Sequence, residues 1–408
     1  MTSSASFDAV VIGAGASGLC AALAAAQRGA RALVLEAGPS AGRKILASGN
    51  GRCNLTNINA APDDYLGGGA LVRAALDRLS GKQAVEFFES LGVLTALEGG
   101  GRVFPRAGKS TAVLTPLLCA AGEAGVKIET GRRVNSLSRE GGMWRVKTQE
   151  GPVFAAKNAV LACGSSAAPG LGGSEDGYAL AKSLGHRMTP TAPALVPLCV
   201  LEKGLKRLAG IRADVSLKTL AGGGAVSTGE ALFTNYGISG PAALNLAAAC
   251  ALALPRGPAL CEMNLFPEYA AAEFAELFRS RVKTFACRPV KHFFAGFLQE
   301  TVANLVLDMA GLDRNARADS FSETARAALI RFCTAWKFTV SGTRPLSEAM
   351  AMAGGIAAEE IDPQTMQSRL APGVYAAGEL LEPVGRSGGF NLHFAWASGL
   401  IAGNSLKF

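Results

Sequence analysis

The stretch that decides the fold opens the chain, where residues 8–18 read Asp-Ala-Val-Val-Ile-Gly-Ala-Gly-Ala-Ser-Gly. The apolar run over 9–12 predicts a buried parallel strand. A Gly-x-Gly-x-x-Gly motif over 13–18 follows, and apolar residues at helical spacing then predict a helix over 16–28. A second apolar run over 31–36 ends on an acid. The stretch therefore predicts a βαβ unit with a glycine-rich first turn.

Each position of this turn has a physical role in holding a dinucleotide. Gly13 permits the tight turn, Gly15 lets a pyrophosphate approach the backbone, and Gly18 lets the helix lie close to the strand. The helix N-terminus offers free N–H groups and a positive dipole end to the phosphates, and Glu36 is placed to accept hydrogen bonds from an adenosine ribose. An ordinary βαβ unit is the alternative. We predict a site for FAD or NAD rather than NADP, because an acid disfavours a 2′-phosphate, with further contacts from Ala16, Ser17 and Ala37.

The composition indicates a compact enzyme with more than one domain. The chain has 408 residues, of which 49% are hydrophobic and 18% charged, so two or three domains are expected. The formal net charge of +8 admits an anionic cofactor or substrate. The Lys/Arg clusters at 132–133 and 203–207 are short, however, and no nucleic-acid partner is expected.

Cysteine usage and hydropathy predict the compartment. The nine cysteines show no CxxC pair and no metal-ligand spacing, so we expect reduced thiols, no metal and a cytoplasmic location. Residues 1–6 lack the basic start of a signal peptide. The most apolar later run, 242–254, is too short to cross a bilayer and is bounded by prolines. It predicts a buried helix, and no membrane partner is expected.

A segment rich in glycine, amides and cations, residues 38–57, directly follows the first acid. Such a loop can wrap the phosphates and the next ring of a bound dinucleotide, although a solvated cluster of turns has the same composition. We prefer the cofactor interpretation, in which contacts come from Arg43, Lys44, Ser48, Gly49, Arg52, Cys53, Asn54 and Thr56.

The same segment resembles a known family. Gly42-Arg-Lys44 and Ser48-Gly-Asn-Gly-Arg-Cys-Asn-Leu-Thr-Asn57 look like the signature of the BaiN/YhiN-type flavoproteins, which include aminoacetone oxidase-like NAD(P)/FAD-dependent oxidoreductases. Further matches follow in the family's order and span nearly the whole chain, at 101–105, 174–178, 193–197, 229–241, 354–356, 365–366, 373–379 and 388–391. The resemblance implies an α/β fold in which a Rossmann-like FAD-binding domain of glutathione-reductase type is interrupted by a β-rich domain with a small helical insert.

Changes in residue pattern set the expected domain boundaries. Three prolines over 190–197 mark a crossover into a β-rich substrate region, and the apolar stripes of 266–331 are typical of helices in a core. The two ends of the chain are expected to meet at one cofactor. We expect the FAD-binding domain over 1–189 and 343–408, the β-rich domain over 190–265 and 332–342, and the helical insert over 266–331.

Local patterns between these landmarks predict further elements. Helices are expected over 77–91 and 113–124, followed by a β-meander from 126 to 161. Asp176 is expected to act as N-cap of a helix over 177–184. Val134 is a candidate for a backbone contact with the adenine, and a plain strand valine is an equal alternative.

Two later turns are expected to return to the cofactor. A strand over 153–161 runs into Ala162, Cys163 and Gly164, where Cys163 is expected to pack rather than to react. A strand over 373–377 ends at Gly378 and Glu379, and that carboxylate is placed to bind ribityl hydroxyls.

The last predicted helix begins close to this acid. Its N-terminus, aimed at a flavin, would stabilise the negative charge that reduction puts there. A plain terminal helix is the alternative. The expected contacts are Gly388, Gly389, Phe390 and Asn391.

No residue is singled out as catalytic. His393, which stands where the resembled family usually has Gln, is a weak candidate, as are Arg386, Tyr236 and Cys53, and each has an ordinary packing or surface interpretation. Because the chain has one such glycine motif and the 378–379 turn completes its site, FAD is expected there. The leading hypothesis is an FAD-dependent oxidoreductase that transfers hydride to or from the flavin.

The substrate is expected to be a small metabolite, with NAD(P)H as a possible transient electron donor. Two alternatives stay open. One is a flavin-dependent RNA-modifying protein, which would need an RNA-binding appendage, and the other is an FAD-bound sensor without turnover.

Overall fold

The computed structural model describes residues 6–149, 151–220 and 224–408. The chain forms two compact units, one comprising the residues up to Pro193 together with Leu346–Phe408, and the other Ala194–Pro345. The first boundary falls within the short strand Ala192–Ala194. The division of the second unit into a β-rich domain and a helical insert stays a prediction.

A parallel sheet forms the centre of the first unit. The first strand lies inside this sheet, and its last four residues are buried, as its apolar run predicts. The strand formed near the end of the chain pairs with one from its middle, so the chain's two ends share one sheet. The parallel strands lie in the order Lys127–Glu129, Ala32–Leu35, Ser6–Ile12, Val153–Leu161 and Val374–Ala376.

An antiparallel hairpin extends this sheet. Its strands are Val134–Glu140 and Met143–Thr148, and the second pairs with the first half of Val153–Leu161. The β-meander predicted from 126 to 161 is confirmed for its last three strands, whereas its first strand, Lys127–Glu129, lies at the opposite edge of the sheet and pairs in parallel with Ala32–Leu35.

The first and last helices pack tightly against each other. The first, Ala16–Gln27, is buried from Ser17 to Ala26, and the last is Phe390–Ser405. A Cβ on Gly399 would overlap the carbonyl oxygen of Ser17, and one on Gly403 would overlap that of Ala21. Because these glycines are four residues apart, they lie on one face of the last helix and let the two backbones approach closely.

Shorter elements surround this core. A three-stranded sheet joins Thr56–Asn57, Arg102–Pro105 and Thr95–Glu98, and a two-stranded one joins Val384–Gly385 and Tyr65–Leu66. A short strand forms at Ala351–Ala353. The helices are Arg43–Gly51, Gly69–Arg78, Gly81–Ser90, Thr111–Glu123 and Asp176–Ser183.

The prediction of one helix over 77–91 is wrong. The structure has two helices here, because Leu79 and Ser80 adopt extended backbone angles. The Gln83 backbone N–H donates to the Ser80 hydroxyl, which caps the second helix. The hydroxyl thus favours a new helix start over continuation of the first.

Two further local predictions are wrong. The helix Asp176–Ser183 includes Asp176, which does not cap it; the carboxylate pairs instead with Arg133, which directly precedes the strand Val134–Glu140. The segment expected as loop over 38–57 contains the helix Arg43–Gly51, with a non-helical kink at residues 48–50.

The second unit is built on a closed antiparallel barrel of six strands. The buried helix predicted over 242–254 is confirmed as Gly240–Ala253, which packs against five of the six barrel strands, mainly Val226–Phe233 and Arg212–Thr219. In barrel order the strands are Leu198–Val200, Gly237–Ser239, Val226–Phe233, Arg212–Thr219, Ala259–Asn264 and Trp336–Thr343.

The helical region of this unit is less continuous than expected. Its helices are Ala271–Thr284, Glu300–Met309 and Glu323–Thr334, and a short one forms at Lys203–Lys206. Residues between them form turns, since Gly296 and Gly311 adopt positive φ angles that end helical geometry.

Replacing Gly399 with alanine is expected to lower the melting temperature of the apoprotein. The added Cβ overlaps the Ser17 carbonyl, and such overpacking costs about 1–3 kcal/mol. Gly122→Ala, in the helix Thr111–Glu123, is the matched control, because its Cβ would meet nothing within 4 Å. Alanine is the better helix former, so the control should melt at or above the wild-type temperature. Thermal melts that coincide for the two variants would contradict this account of the helix pair.

Candidate functional site

The carboxyl ends of four parallel strands meet at the glycine motif. The Gly13 N–H donates to the Leu35 carbonyl at 2.8 Å, and the Ala162 N–H donates to the Ile12 carbonyl at 2.9 Å. The Ala377 N–H donates to the Leu161 carbonyl at 3.0 Å. In open parallel sheets, ligands bind at this edge. The structure therefore brings together the turns at 13–18, 36–37, 162–164 and 377–379.

Among the motif's glycines, Gly15 is the one that the protein itself does not require. Gly13 has a φ of +105°, and a Cβ there would overlap the Ala162 carbonyl; a Cβ on Gly18 would overlap the carbonyl of Gly13. Gly15 has a φ of −83°, and its Cβ would meet nothing within 4 Å. A glycine that neither backbone nor packing demands fits a place where a ligand approaches. Gly15 starts the first helix, so this space fits a pyrophosphate.

Glu36 organises the turn as well as being placed for a ribose. Its Oε2 accepts from the Ala14 N–H at 2.8 Å, and its Oε1 accepts from the Gly38 N–H at 2.7 Å. Each carboxylate oxygen accepts more than one hydrogen bond, so acceptor capacity remains. Ala37 beside it is exposed.

The strand that carries Val134 begins next to this acid. The Arg132 N–H donates to the Glu36 carbonyl at 2.8 Å, and Val134 follows two residues later, buried at the start of its strand. This places the Val134 backbone two residues from a direct contact with the Glu36 backbone.

The helix Arg43–Gly51 lies directly over the glycine turn. The Gly42 N–H donates to the Ala14 carbonyl at 2.9 Å. Arg43 donates to the Gly170 carbonyl at 2.6 Å, and the Ser48 hydroxyl donates to its own helix. Within the kink, Gly49 has a positive φ and lies against the Asn54 backbone. The segment thus wraps the site through a helix rather than an open loop.

Glu379 is the centre of a polar cluster. Its Oε2 forms an ion pair with the Lys44 ammonium at 2.5 Å. Its Oε1 accepts from the Ser165 hydroxyl at 2.5 Å and from the Met352 N–H at 3.0 Å. Gly378 before it has a positive φ and leaves no room for a Cβ beside Ser17.

The cluster joins two segments that the sequence placed at the cofactor separately. Lys44 and Glu379 are 335 residues apart, and both were predicted; their direct pairing was not. Ser165 was missed, although it immediately follows the predicted Gly164. Its position in the same turn as Gly164 was the sequence signal that could have identified it.

Cys163 is a packing residue, as expected. Burial, with the nearby Asp176 and Glu36 carboxylates, raises the pKa of its thiol to about 12. The thiol is therefore protonated at neutral pH and is a poor nucleophile.

The last helix begins at two glycines with positive φ angles, Gly388 and Gly389. A Cβ on Gly389 would come within 2.9 Å of Asn54 Oδ1, which is buried and has no hydrogen-bond partner in the described part of the chain. An unpartnered buried acceptor beside a helix N-terminus fits a ligand that carries an N–H donor, as the pyrimidine ring of a flavin does.

Two residues predicted to contact the cofactor at this helix form hydrogen bonds within the protein. Asn391 exchanges two hydrogen bonds with the Gly385 backbone, at 2.9 and 2.7 Å. The Phe390 carbonyl accepts from the Tyr65 hydroxyl at 2.9 Å, and the two rings pack edge to face. Both residues fix the turn from which the helix starts.

His393 is fully buried below this turn. Its Nδ1 lies 2.6 Å from the Thr56 hydroxyl, and its Nε2 has no hydrogen-bond partner among the described residues. Burial lowers the pKa of the imidazole to about 4, so the ring is neutral at pH 7. His393 is thus a packed neutral histidine that fixes Thr56.

The remaining candidates have other partners. Arg52 pairs with Glu98 and stacks on Phe104, with Cζ 4.1 Å from the ring centroid. Cys53 is fully buried, and burial raises the pKa of its thiol to about 11. Arg386 lies 3.8 Å from the Asp64 carboxylate, and Tyr236, in the second unit, stacks under Arg344.

Comparison with known proteins gives the family. A model described as the HI0933-like protein Rossmann domain matches residues 7–405. The chain belongs to the HI0933-like family. The resemblance to BaiN/YhiN-type flavoproteins, the Rossmann-type α/β fold with an additional β-rich region, the FAD cofactor and the class of FAD-dependent oxidoreductase are thereby confirmed.

Relatives within this family have two kinds of name. A 3-dehydro-bile acid delta(4,6)-reductase from Clostridium scindens is 35% identical over 401 residues, covering 97% of this chain and 98% of that protein. A ribosomal RNA dihydrouridine synthase from Escherichia coli is 29% identical over 396 residues, 96% of each chain.

Solved structures show the same fold at greater distance. A 3-ketosteroid delta1-dehydrogenase from Sterolibacterium denitrificans has a TM-score of 0.50 at 14% identity, covering 98% of this chain and 99% of that one. Within the described residues, no group of His, Cys, Asp and Glu could hold a metal ion. No described helix is long and apolar enough to cross a membrane.

Gly15→Ala is expected to weaken FAD binding without weakening the apoprotein. The new Cβ has free space in the protein but occupies the approach to the helix N-terminus, and a loss of about 10-fold or more in affinity, roughly 1.4 kcal/mol, is expected. Gly18→Ala is the matched contrast, since its Cβ overlaps Gly13 and should lower the apoprotein melting temperature. FAD titration of the apoproteins and their thermal melts separate the two effects. Wild-type FAD affinity in Gly15→Ala would refute the assignment.

His393→Gln is expected to flatten the acid side of the stability profile. An unfolded histidine has a pKa near 6.5 and the folded one about 4, so only the unfolded chain takes up a proton between these values. The free energy of unfolding is unaffected above pH 6.5 and falls as the pH drops towards 4, by up to about 3 kcal/mol at 1.36 kcal/mol per unit. Glutamine does not titrate, so denaturation of both apoproteins at pH 7.5 and pH 5 should show a larger loss for the wild type. Equal losses would mean that this imidazole is not neutral in the folded protein.

Proposed function

We propose that this protein reduces a carbon–carbon double bond conjugated with a carbonyl group in a small molecule. The observation that carries the proposal is the relationship, at 35% identity over the full length, to a protein named as a reductase of a 3-dehydro-bile acid at its 4,6 positions. A double bond next to a carbonyl is electron-poor and accepts hydride at the far carbon, while the near carbon takes up a proton. The two electrons would come from NAD(P)H.

FAD supplies reversible two-electron chemistry when bound, and the residues at the strand ends are suited to holding it. Gly15 and the start of the first helix would take the pyrophosphate, and Glu36 the adenosine ribose, with Val134 near the adenine. Glu379, held by Lys44 and Ser165, would take the ribityl hydroxyls. The other contacts to FAD that the sequence predicts would come from backbone groups of the turns around these residues.

The N-terminus of the last helix would set the electronic character of the site. The first N–H groups of a helix have no partner within it and carry partial positive charge. Asn391 and Tyr65 fix the turn from which they emerge. This arrangement favours negative charge on a nearby ring, and so favours reduction.

A second candidate function is reduction of uracil in ribosomal RNA. Two relatives named as ribosomal RNA dihydrouridine synthases, from Escherichia coli and Haemophilus influenzae, match 96% and 98% of this chain and equal shares of their own length. Their length removes the expectation that an RNA activity would need an appended domain. The uracil double bond is also conjugated with a carbonyl, so the flavin chemistry would be the same.

Other parts of the proposal rest on sequence alone. A cytoplasmic location is proposed from the cysteine pattern, and an FAD-bound sensor without turnover stays the third alternative. The geometry of the described residues does not single out a side chain that could donate the proton, and we propose no catalytic acid.

Anaerobic reduction of the purified flavoprotein tests these functions. Bleaching of its visible absorbance is followed with NADH and with NADPH, and the reduced protein is then mixed with a 3-oxo-4,6-diene bile acid, with aminoacetone, or with unmodified ribosomal RNA. Rapid reoxidation by the dienone, with loss of its conjugated absorbance, is expected.

Each other outcome points elsewhere. Dihydrouridine formed in the RNA, with no reoxidation by the dienone, would replace the proposal with the second candidate. Bleaching by aminoacetone would indicate an amine oxidase, and slow reduction by every donor would indicate the sensor.

A further inference from the structure

The helical part of the second unit contains a long stretch with no acid. Residues 277–299 hold five Lys and Arg and one His but no Asp or Glu. The stretch runs from the second half of the helix Ala271–Thr284 into the turns that follow. Residues 194–345 hold 17 Lys and Arg against 12 Asp and Glu, which is +5 of the chain's +8. The excess positive charge is thus concentrated in this unit.

Neighbouring acids are already paired with other cations. Arg279 pairs with Glu276 at 2.5 Å. Arg314 pairs with Asp308 at 2.6 Å, and Arg317 pairs with Asp319. Lys283, Arg288 and Lys291 are exposed, and none forms an ion pair among the described residues. Arg288 and Lys291 therefore face solvent without an ion-pair partner, while Lys283, after Arg279, contributes to lowering the pKa of the Glu276 carboxylate.

Two arginines share one aromatic ring at the centre of this stretch. Arg281 and Arg288 lie with Cζ 3.7 and 4.5 Å from the Phe285 centroid. Arg281 also donates to the Phe293 carbonyl at 2.8 Å and to the Ala295 carbonyl, so its position is fixed. Burial and the Arg288 charge lower the pKa of Arg281. No carboxylate offsets this like-charge pair, and a bound anion would.

Hydrogen bonds fix the backbone of the turn that carries Arg288 and Lys291. The Val290 N–H donates to the Ala316 carbonyl at 2.9 Å, the Lys291 N–H donates to the Arg314 carbonyl at 2.9 Å, and the Ala318 N–H donates to the Arg288 carbonyl. The turn after the helix is therefore paired with a second segment of chain. A preorganised set of cations loses little entropy when it binds an anion.

We propose that Arg281, Lys283, Arg288 and Lys291, here called the basic surface, dock the phosphate groups of RNA. Several exposed cations on one stretch of chain without an acid suit a polyanion. Phe285 is buried, so it offers no face on which a base could stack, and recognition is of the phosphates rather than of sequence. The inference goes beyond reduction of a small molecule and does not need it.

The chemistry of the surface favours RNA over other polyanions. No large apolar side chain is exposed between residues 277 and 299, so the surface lacks the anchor that a membrane or a protein partner would use. RNA is preferred to DNA because the second candidate function acts on a uracil ring of ribosomal RNA. That preference alone rests on the second candidate function.

Salt-dependent binding of a fluorescein-labelled RNA hairpin tests the proposal. Each phosphate contact contributes about −0.7 to −0.9 to the slope of log affinity against log salt, so four contacts predict a loss of about 50- to 150-fold between 50 and 200 mM KCl. In a variant with Lys283→Ala, Arg288→Ala and Lys291→Ala, about one contact remains, and the loss should shrink to about 3-fold. Anisotropy of the hairpin with the full-length holoprotein gives both numbers.

A control variant with Arg73→Ala, Arg78→Ala and Lys182→Ala removes the same charge from exposed positions of the first unit. It should keep the wild-type affinity and slope. Unchanged visible absorbance and melting temperature in both triple variants establish that each is folded and holds FAD.

Four results would overturn the proposal. They are no binding of the hairpin by the wild type at 50 mM KCl, wild-type affinity in the basic-surface variant, equal losses in the control variant, and binding of heparin, a DNA hairpin of the same sequence or phosphatidylglycerol vesicles as tight as that of RNA. Because the assay reads binding without turnover, failure of small-molecule reduction leaves its outcome unaffected.

Discussion

The close approach of the first and last helices is the constraint on which the first unit depends. Gly399 and Gly403 remove the side chains that would hold Ser17 and Ala21 away, so the chain's two ends pack as one layer. The strand Val374–Ala376 can then complete the parallel sheet begun by the opening residues. Because both ends deliver their turns to the same edge of the sheet, one cofactor site is assembled from segments more than 300 residues apart.

The acids of that site serve two purposes. Glu36 ties the glycine turn to the loop that follows it, and Glu379, through Lys44, ties the helix over the turn to the segment that follows the strand Val374–Ala376. A carboxylate that is already positioned by the protein loses little freedom when a ribose or ribityl hydroxyl donates to it. The start of the last helix is positioned in the same way, because the Asn391 amide forms two hydrogen bonds with the backbone of the preceding turn.

The outcomes of individual predictions follow from how local their causes are. The first strand, the glycine turn and the buried helix near residue 250 were predicted because periodicity and glycine placement act within a few residues. The break at Ser80 was missed because a single hydroxyl, acting as a cap, outweighs helical periodicity on both sides. Arg52 and Asp176 have other partners than expected because Glu98 and Arg133 are distant along the chain, and no local pattern reveals that the fold brings them close.

The sequence by itself determined the βαβ opening, the need for a dinucleotide there, and the family, because these depend on short motifs whose spacing has direct backbone consequences. Only the tertiary structure decided which glycine is left for a ligand. Gly13, Gly15 and Gly18 are indistinguishable as letters, and only the packed backbone shows that two of them are filled by the protein and one is not. The uncompensated cations near Phe285 were hidden for the same reason. Charge along a chain is read from the sequence, but the pairing of each charge is set by what the fold places beside it.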